Sequence, residues 1–91
     1  MEYINEYNIN EYKEQVLKTI EYTFTEIEKS MDVESVYKLL VNIVNKNIYH
    51  KNFCKFIIVG LRSNYDIWIK WNDYKILYPY ILEIAQKLMN S

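Results

Sequence analysis

Phe53-Cys54-Lys55-Phe56-Ile57-Ile58-Val59-Gly60-Leu61 is nearly all apolar, and Tyr65-Asp66-Ile67-Trp68-Ile69-Lys70-Trp71 then alternates apolar and polar residues almost strictly. A short apolar run reads as a strand buried on both faces, and period-two alternation with β-branched and aromatic residues reads as a half-buried strand. Asn72-Asp73 follows, and both residues tolerate the left-handed backbone of a tight hairpin. Tyr74-Lys75-Ile76-Leu77-Tyr78 is again strand-prone. With Asn72-Asp73 as a two-residue turn, Trp71 lies opposite Tyr74, Ile69 opposite Ile76 and Ile67 opposite Tyr78, so all six share one face. The stretch from Phe53 to Tyr78 therefore reads as a three-stranded antiparallel β-meander. Gly60, the only glycine, marks the end of the first strand or a bulge, and Arg62-Ser63-Asn64 is a connecting turn of open register.

The second face of the hairpin would carry Asp66, Trp68, Lys70, Lys75 and Leu77. Lys70 falls opposite Lys75, which points to a solvated face, and Trp68 pairs with Leu77 across the strands. A tryptophan there is either covered by another part of the chain, such as the last helix, or held for a partner, since aromatics anchor interfaces. Tyr65, Trp68 and Leu77 are the candidate partner or dimer contacts.

Working outward, residues 1–9 hold no period and read as a loose N-terminal arm, with Asn8 and Glu11 spaced as a capping box. Tyr12, Val16, Leu17, Ile20, Phe24, Ile27 and Met31 recur at three and four and predict an amphipathic helix. Glu14 and Lys18 pair along it, and Glu14, Glu21 and Glu28 make its opposite face acidic. Asp32 caps a second helix on which Val33, Val36, Tyr37, Leu40, Ile43, Val44 and Ile48 form a broad stripe, fading at Asn45-Lys46-Asn47. Beyond the meander, Pro79 suits the first turn of a last helix, with Ile81, Leu82, Ile84, Ala85, Leu88 and Met89 as its apolar face and Glu83–Lys87 as a second pair. The expected fold is one α+β domain over residues 1–91: two N-terminal helices, the meander and a C-terminal helix. In outline this is similar to the small dynein light chains, with Phe56-Ile57-Ile58-Val59-Gly60 where those chains place a strand ending in glycine. The likeness covers only that handful of residues and departs at the helical C-terminal segment, so no membership is assigned.

Apolar residues make up 51% of the 91 and charged residues 25%, a balance that excludes a disordered chain. A core this small is often completed by dimerisation. No apolar run approaches the roughly 20 residues of a membrane span. The acidic, polar Met1-Glu2-Tyr3-Ile4-Asn5-Glu6 has no signal-peptide pattern, and a lone Cys54 cannot close an internal disulfide, so a cytoplasmic, reducing location is expected. Ile, Asn, Lys and Tyr supply 43 of the 91 residues, all with A/T-rich codons, which fits an A/T-rich genome and a small virus- or phage-encoded protein.

His50 and Cys54 are the only histidine and cysteine; they fall on a loop and a strand, and a nucleophile pair needs both side chains in contact. Two ligands do not complete a zinc site, and no glycine-rich phosphate loop or carboxylate pair is present, so no cofactor or metal is expected. Charge is uneven: residues 1–34 hold nine acids against three lysines, and residues 35–91 hold eight cations against three acids. These halves complement each other within the fold or across a dimer, or they present patches to a partner. The expectation is a non-enzymatic protein-interaction module of adaptor, regulator or inhibitor type, acting as a homodimer through an aromatic sheet face. The alternative is nucleic-acid binding by Lys55, Arg62, Lys70 and Lys75 with the aromatics between them; the net charge of −1 and the single arginine weigh against it.

Overall fold

Lys51–Tyr65 is an α-helix in the computed structural model, which describes residues 3–90. Read at helical period, Phe53, Cys54, Ile57 and Leu61 fall on one stripe, and these four are buried. The run extends beyond that stripe, so Phe56 and Val59 lie exposed on the outer side. His50 opens the helix, its Nδ1 accepting the Phe53 N–H at 3.3 Å. Asp66 closes it in the left-handed conformation (φ 55°), where its own N–H and that of Ile67 donate to the Arg62 and Leu61 carbonyls. The expected first strand is therefore absent, and the outline likeness to the dynein light chains fails with it. Ile57-Ile58-Val59 favours a strand locally, but tertiary packing outweighs that preference.

The antiparallel hairpin is absent too. In this stretch the strand covers only Trp68–Ile69, with Lys70 extended after it; Ile67 and Ile69 are buried and Trp68 half-buried. Trp68–Ile69 (β2) pairs in parallel with Tyr3–Ile4 (β1), in the register Tyr3 to Trp68 and Ile4 to Ile69. The chain then winds into a 3-10 helix, Trp71–Leu77, in which the Asp73 N–H donates to the Lys70 carbonyl at 2.9 Å. Asn72-Asp73 thus serves a helical turn, a use open to any good turn former. Tyr74 and Leu77 are three apart, so both point inward at three residues per turn. Leu77 is fully buried, and neither the Trp68–Leu77 pair nor the Lys70–Lys75 pair forms. Of the six residues expected on one face, Ile67, Ile69, Tyr74 and Tyr78 are buried, whereas Trp71 is exposed.

Of the expected arm over residues 1–9, residues 1 and 2 lie outside the described residues, and residues 3–9 are not loose. Ile4 is fully buried, and paired asparagines tie the segment down. The Asn5 side chain accepts from the Tyr7 N–H at 2.8 Å, the Asn8 side chain accepts from the Asn5 N–H at 2.7 Å, and Asn8 Nδ2 donates to the Tyr3 carbonyl at 2.9 Å. Asn8 precedes a 3-10 helix, Ile9–Tyr12, without the side-chain cap its spacing to Glu11 suggested.

The other helices follow the sequence. They are α1 (Lys13–Glu28), α2 (Val33–Lys46) and α4 (Tyr78–Met89), and Lys51–Tyr65, which stands between α2 and α4 in the chain, is α3. Asp32 caps α2 by accepting the Ser35 N–H at 2.9 Å, and Asn47 ends it in the left-handed region (φ 52°). Both conformations suit these short polar residues. Pro79 stands in the first turn of α4. By contact the helices run in the order α3, α1, α4, α2, and α2 packs chiefly on α4. The Cα radius of gyration is 12.3 Å. No helix among the described residues is long and apolar enough to cross a membrane.

Gly60 sets the approach of α3 to α1. A Cβ there would stand 2.9 Å from Thr19 Cγ2. Thr19 cannot easily rotate away, because it is buried and its hydroxyl donates to the Gln15 carbonyl at 2.8 Å. Gly60→Ala should therefore lose about 1–2 kcal/mol to overpacking, despite its better helix propensity. Thr19→Ser removes only the opposing methyl. In urea unfolding, Thr19→Ser/Gly60→Ala should be at least as stable as Thr19→Ser alone; an equal loss in both backgrounds would refute the contact.

Candidate functional site

Phe56 is 61% exposed, Val59 37% and Tyr22 63%, and the three border one groove between α1 and α3. The groove has a volume of about 450 Å³; Ile27, Gly60 and Ser63 also line it, and Glu26 stands in the α1 wall. Two causes place these side chains outside. Thr19 and Thr23 fill the seam where α1 meets α3, and Gly60 adds no side chain there. Residues 52, 56, 59 and 63 then follow at helical spacing along the outer side of α3.

A second cluster surrounds Trp68. The Arg62 guanidinium lies 5.3 Å from its ring centroid, and the Tyr3 ring lies 6.3 Å away at 54°. Lys70 Nζ in turn stands 5.7 Å from the Tyr3 ring. Each cation–π contact is worth about 0.5–1 kcal/mol at an exposed site. The structure therefore brings Trp68, Arg62 and Lys70 together, over the β1–β2 pair. It does not add the other expected residues to them. Tyr65 is 39% exposed at the end of α3, Lys55 borders a hollow beside Phe56, Lys75 sits on the 3-10 helix beside Trp71, and Leu77 is inside the core.

The ionic pattern is local. Glu14–Lys18 (3.1 Å), Glu26–Lys29 (2.9 Å) and Glu34–Lys38 (3.3 Å) are all exposed pairs three or four residues apart. Among the described residues no ion pair joins two helices, and Glu83 and Lys87 do not close one. Such exposed pairs contribute little. The uneven charge of the chain is therefore not neutralised by contacts between its helices.

His50 and Cys54 have structural places. The imidazole caps α3, and the Cys54 N–H donates to the His50 carbonyl at 2.9 Å. The thiol is fully buried, and burial pushes its pKa up. Tyr74 is its neighbour; burial also raises the phenol, whose hydroxyl has no well-aligned hydrogen-bond partner. No group of three or more histidine, cysteine or acidic side chains stands ready for a metal among the described residues.

Val59, Tyr22 and Tyr49 were not candidate contacts from sequence, and Phe56 entered only among the aromatics between the basic residues. The signal for Phe56 and Val59 was present: at period 3.6 they leave the stripe that Phe53, Cys54, Ile57 and Leu61 share. Compared with models of protein families, with curated proteins and with solved structures, the chain matches none. The burial of Cys54 is open to a direct check. Its thiol should resist an aromatic disulfide reagent at neutral pH in the folded protein and react within seconds in denaturant. Immediate reaction of the native protein would contradict that placement.

Proposed function

We propose that this chain is a non-enzymatic protein-interaction module that works as a homodimer joined through α1 and α3. The observation that carries the reading is the outward Phe56, flanked by Val59 and Tyr22 over the apolar groove. Exposed aromatics grouped around a groove are the usual anchors of an interface. Burying Phe56 in the groove of a second copy would contribute about 2 kcal/mol on each side of a two-fold axis.

Charge favours a second copy as the occupant. Within α1, Glu14, Glu21, Glu26 and Glu28 outnumber Lys13 and Lys18; within α3, Lys51, Lys55 and Arg62 meet no acid. A two-fold axis along the groove sets α1 of one copy over α3 of the other, acidic helix over basic helix. An axis across the groove would set like over like, which costs energy. The dimer therefore uses helices and not the aromatic sheet face, since the two-residue strands offer no such face. The same correction removes the platform on which a nucleic-acid strand would have lain, and Arg62 and Lys70 already engage aromatic rings.

Light scattering should give twice the 11.2 kDa chain mass at about 100 μM protein. Phe56→Asp should give a monomer of unchanged helicity, since the side chain is exposed and its loss leaves the core intact. A monomeric wild-type protein at that concentration, or a dimeric Phe56→Asp variant, would rule out this assembly.

A further inference from the structure

On a different surface, a cavity of about 450 Å³ opens where the end of α2, the loop before α3 and the 3-10 helix meet. Its size is that of a small-molecule site. Four aromatic rings form the walls. Tyr74 and Tyr78 are buried and stand edge to face with centroids 5.5 Å apart. Tyr49 and Trp71, each nearly half exposed, form a second edge-to-face pair at 5.3 Å. The site thus has a preformed inner half and two accessible rings.

Its polar groups narrow the ligand. Asn47 and Asn72 offer primary amides, each with a donor and an acceptor. Asn47 is held in place because its left-handed backbone ends α2. Lys75 is the one charged residue among those that line the cavity, and no carboxylate lines it. Among the described residues Lys75 makes no ion pair. A quaternary ammonium ligand would suit the rings but not the lysine. A purely apolar ligand would leave both amides and the ammonium without partners. The chemistry that uses every wall is a flat ring with a hydrogen-bonding edge and an attached negative charge.

We propose that this cavity binds a nucleotide, with the base against Trp71 and Tyr49, its edge toward Asn47 and Asn72, and its phosphate at Lys75. Base stacking on aromatic side chains and phosphate pairing with lysine are the two forces such a site needs. The same chemistry is presented by a free nucleotide and by the end of a single strand. The site is independent of the α1–α3 groove and does not require the dimer.

The test is a titration of the full chain with AMP, followed by amide and indole proton–nitrogen spectra. AMP should move the Trp71 indole signal and the Asn47 and Asn72 side-chain amides, and leave the Trp68 indole unmoved. Adenosine should act at the same signals but more weakly, and ribose 5-phosphate more weakly still. Lys75→Ala should weaken AMP binding about fivefold or more without changing adenosine binding. Trp71→Ala, at an exposed position, should weaken both about tenfold. A five-residue deoxyadenylate strand that moves the same signals at lower concentration would assign the site to strand ends; a strand that does not move them would assign it to free nucleotides. No movement of these signals at about 10 mM AMP overturns the proposal. So does ribose 5-phosphate binding as tightly as AMP, or AMP binding unchanged in Lys75→Ala.

Discussion

The approach of α3 to α1 at Gly60 governs the rest of the molecule. With no side chain at that position, α3 settles where a single added carbon would press on Thr19. That seating turns Phe53, Cys54, Ile57 and Leu61 into the core and fixes the point at which Asp66 releases the chain. Trp68–Ile69 then pairs with β1, and the 3-10 helix that follows buries Tyr74 and Leu77 before the chain enters α4. The same seating leaves Phe56 and Val59 outside. Core and exposed groove are thus two sides of one helix orientation.

Much of the fold was legible. The helices α1, α2 and α4, the Asp32 cap, the Glu14–Lys18 pair and the Pro79 start stand where the spacing put them, but Met31, Val33, Ile48 and Met89 of the expected stripes lie exposed. The middle of the chain was not, for physical reasons. A nine-residue apolar run satisfies helix and strand periods alike, and three β-branched residues in succession tilt the local preference toward a strand. The alternation at Ile67 and Ile69 was genuine but spans too few residues for a hairpin. Its partner is Tyr3–Ile4, at the far end of the chain, and local patterning carries no information about such pairing. Asn72-Asp73 favours a turn without choosing which one.

Legibility of the candidate sites followed the fold. Trp68, Arg62 and Lys70 gather where the end of α3 meets the short parallel β1–β2 pair, and not on the face of an antiparallel hairpin. Leu77 was lost when the hairpin became a 3-10 helix, which brought it inside. Phe56 and Val59 were hidden by the assumption that a continuous apolar run is buried throughout. The chain's sole histidine and cysteine are occupied in capping and packing, so its distinctive chemistry is aromatic: ten tyrosines and two tryptophans, several of them at the surface. Those rings bound the two surfaces proposed for function, one of them apolar and open to a second copy, the other furnished with amides and a lysine.

The α3–α1 seating is best tested by nuclear Overhauser contacts in solution. The account predicts a strong cross-peak between the Thr19 methyl and the Gly60 Hα protons, with helical Cα shifts from Lys51 to Tyr65. Cross-strand Hα contacts between residues 67–71 and 74–78, without the Thr19–Gly60 peak, would contradict it and restore the meander.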